Sequence, residues 1–600
     1  MSHDDHFDPH GAIHEDPKSF FWKYLWSTDH KMIGRQFLLT ALLMFLIGGV
    51  LALVVRLQLG CSPSMPGVDH GLCSIKNGVG LKNMTGDLYN QTLTMHASFM
   101  IFFAIIPLLI GAFGNFVVPL QIGARDMAFP NLNAASYWLM FPAIVIMIAS
   151  YFVKGGPAQA GWTSYPPLTG IAGSPGLGQT FWLVALILVG TSSIMGAINY
   201  ITTIVNMRAP GMTFFRMPLT TWSVFVTSLL VLLATPVLAS NLTMLLLDRT
   251  VGTSFFFPAG SVFSDNAAHW MGRGGGVVIM WQHIFWFYSH PAVYIMILPA
   301  MGIASEVLST FARKPIFGYK AMVFSMLGIA FIGFIVWGHH MFASGMNPYL
   351  GTYFAVATVL IAIPSAIKTF NWLGTLWGAN IQFTTAMLYA IAFVGMFAIG
   401  GLSGIFMAST PLDLYIHDTY FIVAHIQYVL FGGSMMGIFA GIYFWYPKMF
   451  GRMLSEFWGK VHFIGTLIFF NGVFFPMHII GIGGHMRRIA DPAAYEHLKP
   501  LQYLNVFMSW SALLLGLFQI PFILNFLLSL KLGKKAESNP WHANSLEWSE
   551  TTSPPPHHNY TEIPTVLRGP YEFGSPEAQN GDDYLTQAQV LPGKTAEGAA

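Results

Sequence analysis

The chain has 600 residues, of which 54% are hydrophobic and only 9% charged. Soluble domains carry roughly 25% charged residues, so this composition excludes a soluble globular protein and points to a polytopic membrane protein. A net charge of +2 excludes nucleic acid as a partner.

The first 30 residues, opening MSHDDHFDPHGAIHEDP, are polar and acidic and contain no apolar core of a cleavable signal. They read as an N-terminal tail. Runs of about 20 apolar residues follow, each long enough to cross the hydrocarbon layer as a helix. Twelve are expected, at 33–55, 93–118, 136–153, 181–204, 222–246, 277–301, 317–340, 348–371, 384–407, 420–445, 460–481 and 506–530. They make one all-α integral domain over 31–535, without solenoid repeats.

An even number of crossings puts both chain ends on one side. Loops on that side carry Arg125, Arg208, Arg216, Arg313, Lys314, Lys448, Arg452 and Lys460, and Lys531, Lys534 and Lys535 follow the last run. The positive-inside rule makes this side the cytoplasm. Opposite loops hold fewer cations, although Arg487 and Arg488 are among them. Cys61 and Cys73 lie in the first long loop on the outer side. A disulfide and two unpaired thiols are both open readings of that pair. From 536 to 600 the chain is polar and Pro-rich (SPPPHH), a segment expected to lie on the surface without a core.

Hydrophobic match alone suits a transporter equally well, so the embedded polar residues must decide the function. Ionisable groups at membrane depth are expensive and usually mark function. The stretch WQHIFWFYSHPAVY, Trp281 to Tyr294, places His290 and Tyr294 four residues apart on one helix face. His339 and His340 close another apolar run and are expected to face the same cavity. Three imidazoles with no thiolate and no nearby carboxylate suit copper. His96 and His425 lie inside two further runs, where a neutral imidazole is a natural axial ligand of haem iron. A single such His is more often hydrogen-bonded to a neighbouring helix; several in one chain reverse that preference.

These residues sit among motifs in a fixed order: STDHKMIG from Ser27, IGARDMAFP from Ile122, GWTSYPP from Gly161, NMRAPGMT from Asn206, KPIFGY from Lys314, WGHHM from Trp337 and HDTYF from His417. With them, nearly the whole chain resembles the catalytic subunit I of haem–copper oxygen reductases of the cytochrome c oxidase type. The resemblance implies a twelve-helix fold and roles for matching residues. His290, His339 and His340 would bind the copper CuB, and Tyr294 would be cross-linked to His290. His425 would hold the high-spin haem A and His96 the low-spin haem A. Arg56 would meet the haem formyl group, and Arg487 and Arg488 the haem propionates. His417 and Asp418 would bind magnesium together with a ligand from subunit II.

The resemblance also implies proton paths. Asp126, Asn115 and Asn133 match the mouth of the family's D-pathway, with Ser192 and Ser193 further along. Lys368, Ser365 and Ser305, the last expected just after the sixth helix, match the K-pathway to Tyr294. The blander reading of Lys368 is a side chain snorkelling to the interface.

Two positions depart from the common pattern. Ala292 stands where a glutamate usually ends the D-pathway; Tyr288 and Ser289 precede the histidine instead, and Tyr288 is expected to reach about the same space. Gln427 stands where a second histidine would complete the low-spin haem. Residues two apart point about 200° apart on a helix, so one helix can serve two haems. A hard amide oxygen is a poor iron ligand, and the low-spin haem is then five-coordinate, weakly ligated, altered in potential or missing.

The implied activity is reduction of O2 to water, coupled to proton pumping in a bacterial inner membrane. Electrons would come from cytochrome c through a CuA-bearing subunit II, with subunit III as a further partner. A quinol oxidase is the alternative. Tyr294 and Lys368 speak against a nitric oxide reductase, and the complete copper site against a transporter or a sensor.

Overall fold

The computed structural model describes residues 19–64, 70–258, 275–578 and 583–590. Within them, twelve helices are long and apolar enough to cross a membrane: α1 (His30–Gly60), α2 (Gly86–Ile122), α3 (Pro130–Phe152), α4 (Gly178–Asn206), α5 (Leu219–Thr250), α6 (Val278–Ala312), α7 (Tyr319–Ser344), α8 (Pro348–Leu376), α9 (Thr385–Ala408), α10 (Tyr420–Phe450), α11 (Glu456–Ile482) and α12 (Glu496–Leu532). Each expected run falls on one of them. Polar caps start several: Asp29, Thr384 and Thr419 accept from the backbone N–H of Lys31, Met387 and Phe421.

Neighbours in sequence are neighbours in space along α3–α4–α5–α6, and α1 packs on both α2 and α12, which closes the bundle. The most apolar windows of α2 and α6 are 94% and 89% buried, against 17% for α8. The helices carrying His96 and His290 are therefore central, while α8 faces outward. Two central helices loosen into π-turns beside their histidines, at Phe99–Ile105 after His96 and at Leu430–Met435 after His425 and Gln427. Such turns cost hydrogen-bond geometry and recur at functional sites.

Three expectations need correction. The sixth helix does not stop near 301 but runs to Ala312, so Ser305 lies inside it and is fully buried. Polar Ser305 and Glu306 end the apolar run without ending the helix, because neighbouring elements bury them. The seventh helix breaks after Gly333, and His339 and His340 sit on a separate 3-10 turn, Trp337–Ser344. The segment after 536 is not merely superficial: Leu546, Trp548 and Val566 are fully buried, and Arg313 pairs with Asp583. Its apolar anchors are single residues between prolines and polar turns, so they form no run that composition can register.

Trp548 packs on the ring of Phe444, with centroids 5.1 Å apart, and Lys448 Nζ lies 4.8 Å from its own centroid. Trp548→Ala is expected to cost about 3–5 kcal/mol, read as a lowered thermal midpoint of the purified protein. An unchanged midpoint would mean that the segment is not anchored there.

Candidate metal centre

A cavity of about 1340 Å³ runs through the bundle and is lined by His96, His290, His339, His340, His425 and Gln427. Arg56, Tyr294, Ser365, Asp413, Arg487 and Arg488 line it too. The structure therefore brings both sequence-predicted histidine groups onto one space.

His290, from α6, meets the 3-10 turn of α7. Its Nδ1 lies 3.3 Å from His340 Nε2, which lies 3.1 Å from His339 Nε2. One ligand atom from each of the three lies within 4.8 Å of the others, and no carboxylate or thiolate joins the group. Thr358 fixes the tautomer of His339. Its hydroxyl donates to the Phe354 carbonyl, so its oxygen accepts from His339 Nδ1–H at 2.9 Å and leaves the Nε2 lone pair free. Trp286 stacks on His340 at 3.8 Å and donates to the Tyr165 hydroxyl. The Tyr294 ring lies 4.9 Å from that of His290, whose buried Nε2 has no hydrogen-bond partner.

The other two imidazoles are held in the same way. His425 Nδ1 donates to the Gly400 carbonyl at 2.8 Å and lies 3.0 Å from Ser403 Oγ; His96 Nδ1 donates to the Gly48 carbonyl at 2.8 Å. Each keeps Nε2 as a potential ligand to a group in the cavity. Buried Arg56 binds the Asn505 carbonyl and Ser509 Oγ through one nitrogen, while its Nε and Nη1 make no hydrogen bond of good geometry among the described residues. These unmet donors beside a large apolar cavity fit a haem with polar substituents. The Gln427 amide makes no side-chain hydrogen bond among the described residues. The donor set thus supplies an imidazole at His425 and one at His96, but no second imidazole on the helix face carrying Gln427.

Between α9 and α10 and after α11, Arg487 pairs with Asp418, and Arg488 donates to Thr163 Oγ1 at 3.3 Å. Gly161 has φ +79°, and a Cβ there would strike the Arg488 guanidinium, so this loop needs glycine. His417 lies 3.4 Å from Asp413 and 3.9 Å from Asp418. Burial works against the Asp418 charge, but Arg487, His417 and Arg488 outweigh it and hold the carboxyl below its usual range.

Asn115, Ser192 and Ser193 line a second cavity of about 40 Å³, roomy enough for a water. Asn133 is buried, and its amide nitrogen has no partner. Asp126, in the turn between α2 and α3, is half-buried and does not line this cavity. Burial pushes its carboxyl up to about 7; the Asp29 charge adds to this and Lys31 opposes it. Lys368 does not snorkel: it is fully buried, its Nζ makes no hydrogen bond among the described residues, and it lies 5.3 Å from the Trp372 ring centroid. Ser305 accepts from Trp372 Nε1 at 2.9 Å. Tyr288 and Ser289 are buried but do not line the large cavity, and the Ser289 hydroxyl is unpartnered. Cys61 and Cys73 form a disulfide, with Cα atoms 5.3 Å apart. Sequence reasoning missed Thr358, Ser403, Trp286 and Asp413; the first three act on histidines through tertiary contacts that no local pattern marks, whereas Asp413 stands one helical turn before His417, a spacing that could have found it.

The profile of the family described as Cytochrome C and Quinol oxidase polypeptide I matches residues 32–514. Cytochrome c oxidase subunit 1 of Thermostichus vulcanus is 45% identical over 576 residues, 95% of this chain and 97% of that one. The subunit 1 of a Synechocystis species is 47% identical over 567 residues, 94% and 95% of the two chains. An alternative cytochrome c oxidase subunit 1 from Bradyrhizobium diazoefficiens is 40% identical over 588 residues, 97% and 96% of the two. A heme-copper terminal oxidase solved as a dimer by cryo-EM shares the fold with a TM-score of 0.70 at 17% identity, over 85% and 86% of the two chains. With its histidines gathered on one cavity and its length matched almost end to end, this chain belongs to the cytochrome c and quinol oxidase polypeptide I family.

Proposed function

We propose that the chain is the catalytic subunit of a proton-translocating cytochrome c oxidase. The observation that carries this reading is the convergence of His290, His339 and His340 beside Tyr294, on the cavity that also receives His425. Neutral imidazoles without thiolate or carboxylate suit copper. His425 would hold one haem A and His96 the second, and Gln427 lines the same cavity. Arg56 would meet a haem formyl group, and Arg487 and Arg488 the propionates. His417, Asp418 and the newly placed Asp413 offer imidazole and hard oxygen donors for magnesium, completed by subunit II.

When bound, the haem iron and copper supply the electrons and the Lewis-acid centre for reducing O2. The chain's own residues do the rest. The Tyr294 phenol holds a proton beside the copper ligands, its ring 4.9 Å from that of His290, whose Nε2 has no hydrogen-bond partner among the described residues. Ser365 on the cavity wall and buried Lys368 would bring protons towards Tyr294. Asp126, Asn115, Asn133, Ser192 and Ser193 form the second approach; Tyr288 and Ser289 would continue it where Ala292 offers no proton. The cation-rich face with both described chain ends would be the cytoplasmic side of a bacterial inner membrane.

The test is oxygen consumption by the purified complex in vesicles. Reduced cytochrome c should support it, with protons appearing outside; consumption only with a quinol would favour a quinol oxidase. Turnover should also fall as pH rises through about 7, because Asp126 loses its proton there. Asp126→Asn should flatten that step and slow turnover on the order of 10²-fold. The stability sign agrees: the fold favours the protonated acid, so ionising Asp126 costs stability progressively from pH 3.8 to about 7.

A further inference from the structure

Two buried carboxyls remain outside every path described so far. Glu306, near the inner end of α6, and Glu547, on the C-terminal segment, are at most 2% exposed. Glu306 Oε2 accepts from Thr220 Oγ1 at 3.0 Å and from the Tyr571 hydroxyl at 2.9 Å. Next along α5, Thr221 Oγ1 donates to Gln121 Oε1 at 2.9 Å, and Gln121 Nε2 donates to Glu547 Oε1 at 3.0 Å. The two acids thus end two hydrogen-bonded strings that start from the consecutive residues Thr220 and Thr221 of α5, and they lie near enough for the charge of Glu547 to act on Glu306. Glu547 Oε2 makes no hydrogen bond of good geometry among the described residues.

Among the described residues neither acid makes an ion pair. Lys448 is the cation acting on Glu547, but its ammonium is already hydrogen-bonded to the carbonyls of Ser538, Thr551 and Thr552. The remaining titratable groups facing the pair are the Tyr571, Tyr319 and Tyr560 phenols. Burying one unpaired carboxylate costs several kcal/mol, and two neighbouring ones repel as well. Burial pushes the Glu547 carboxyl up.

We propose that Glu306 and Glu547 form a proton-holding site, closed by the C-terminal segment, that carries one proton between them at rest and changes its protonation when the metal centre is reduced. Its place supports exchange: Glu306 follows Ser305, which is hydrogen-bonded to Trp372 beneath Lys368. The step is simple in balance: a carboxyl O–H bond breaks, the proton leaves to water on the uptake side of the bundle, and water returns one when the carboxylate is refilled. The redox half of this proposal rests on the oxidase reading; the resting proton does not.

The test is infrared spectroscopy on the complete complex, at rest and as a reduced-minus-oxidised difference. A protonated-carboxyl C=O band that shifts in D2O should be present at rest and change on reduction. It should vanish in Glu306→Gln or Glu547→Gln and move in frequency in Tyr571→Phe, a milder change that keeps the packing. A resting spectrum without any band lost in either glutamine variant would overturn the site. So would a band that is present and unmoved by reduction in a complex with full haem and copper content. If the oxidase reading itself failed, the resting band would still be seen while turnover and metal content would not.

Discussion

A His339→Ala chain is expected to lose copper by at least about 100-fold in affinity and to reduce O2 at less than about 1% of the parent rate. The reason is geometric. The proposed copper would have three imidazoles here, and among the described residues no carboxylate or thiolate joins the group to replace one. His339 is also the ligand whose tautomer is set most plainly, through Thr358 and the Phe354 carbonyl. Thr358→Val keeps the shape but removes the acceptor, and should cost roughly 10–100-fold in copper affinity. Copper-to-iron ratios of the two purified variants, measured beside oxygen uptake, check both. Full copper in the His339 variant would sink the assignment of the site.

The second large effect is expected at Gln427. Amide oxygen is a weak, hard ligand for haem iron, whereas imidazole gives strong axial ligation. The parent protein should therefore show a second haem that is not of the bis-imidazole low-spin type and that binds added cyanide or carbon monoxide. Gln427→His should convert it to a low-spin band and move its midpoint potential by about 100 mV. The readouts are the reduced-minus-oxidised spectrum, a pyridine haemochrome count and a potentiometric titration. A parent spectrum already showing two haems A with a normal low-spin band would remove the premise. The effect reaches function because electrons bound for the copper centre would enter through that haem.

Other features separate what lies along the chain from what lies across it. All twelve helices are legible as apolar runs because a bilayer demands about 20 such residues regardless of packing. His290 and Tyr294 are legible as a pair because four residues is one helical turn. The opposed directions of His425 and Gln427 follow from the same periodicity. The partners that orient the imidazoles follow no such rule: Thr358 lies 19 residues from His339, and the Gly48 carbonyl 48 residues from His96.

The sequence by itself determined the membrane class, the number of crossings and the histidine inventory, since composition and helical period act locally; that Gln427 stands where a second imidazole is usual follows from the family resemblance. Tertiary structure decided that His339 and His340 leave their helix on a 3-10 turn to meet His290. It also decided that Lys368 is sealed in and that the C-terminal segment brings Glu547 and Tyr571 into the acid network around Glu306. These outcomes depend on which distant surfaces exclude water from a side chain, and burial of that kind is a property of the packed bundle, not of neighbouring letters.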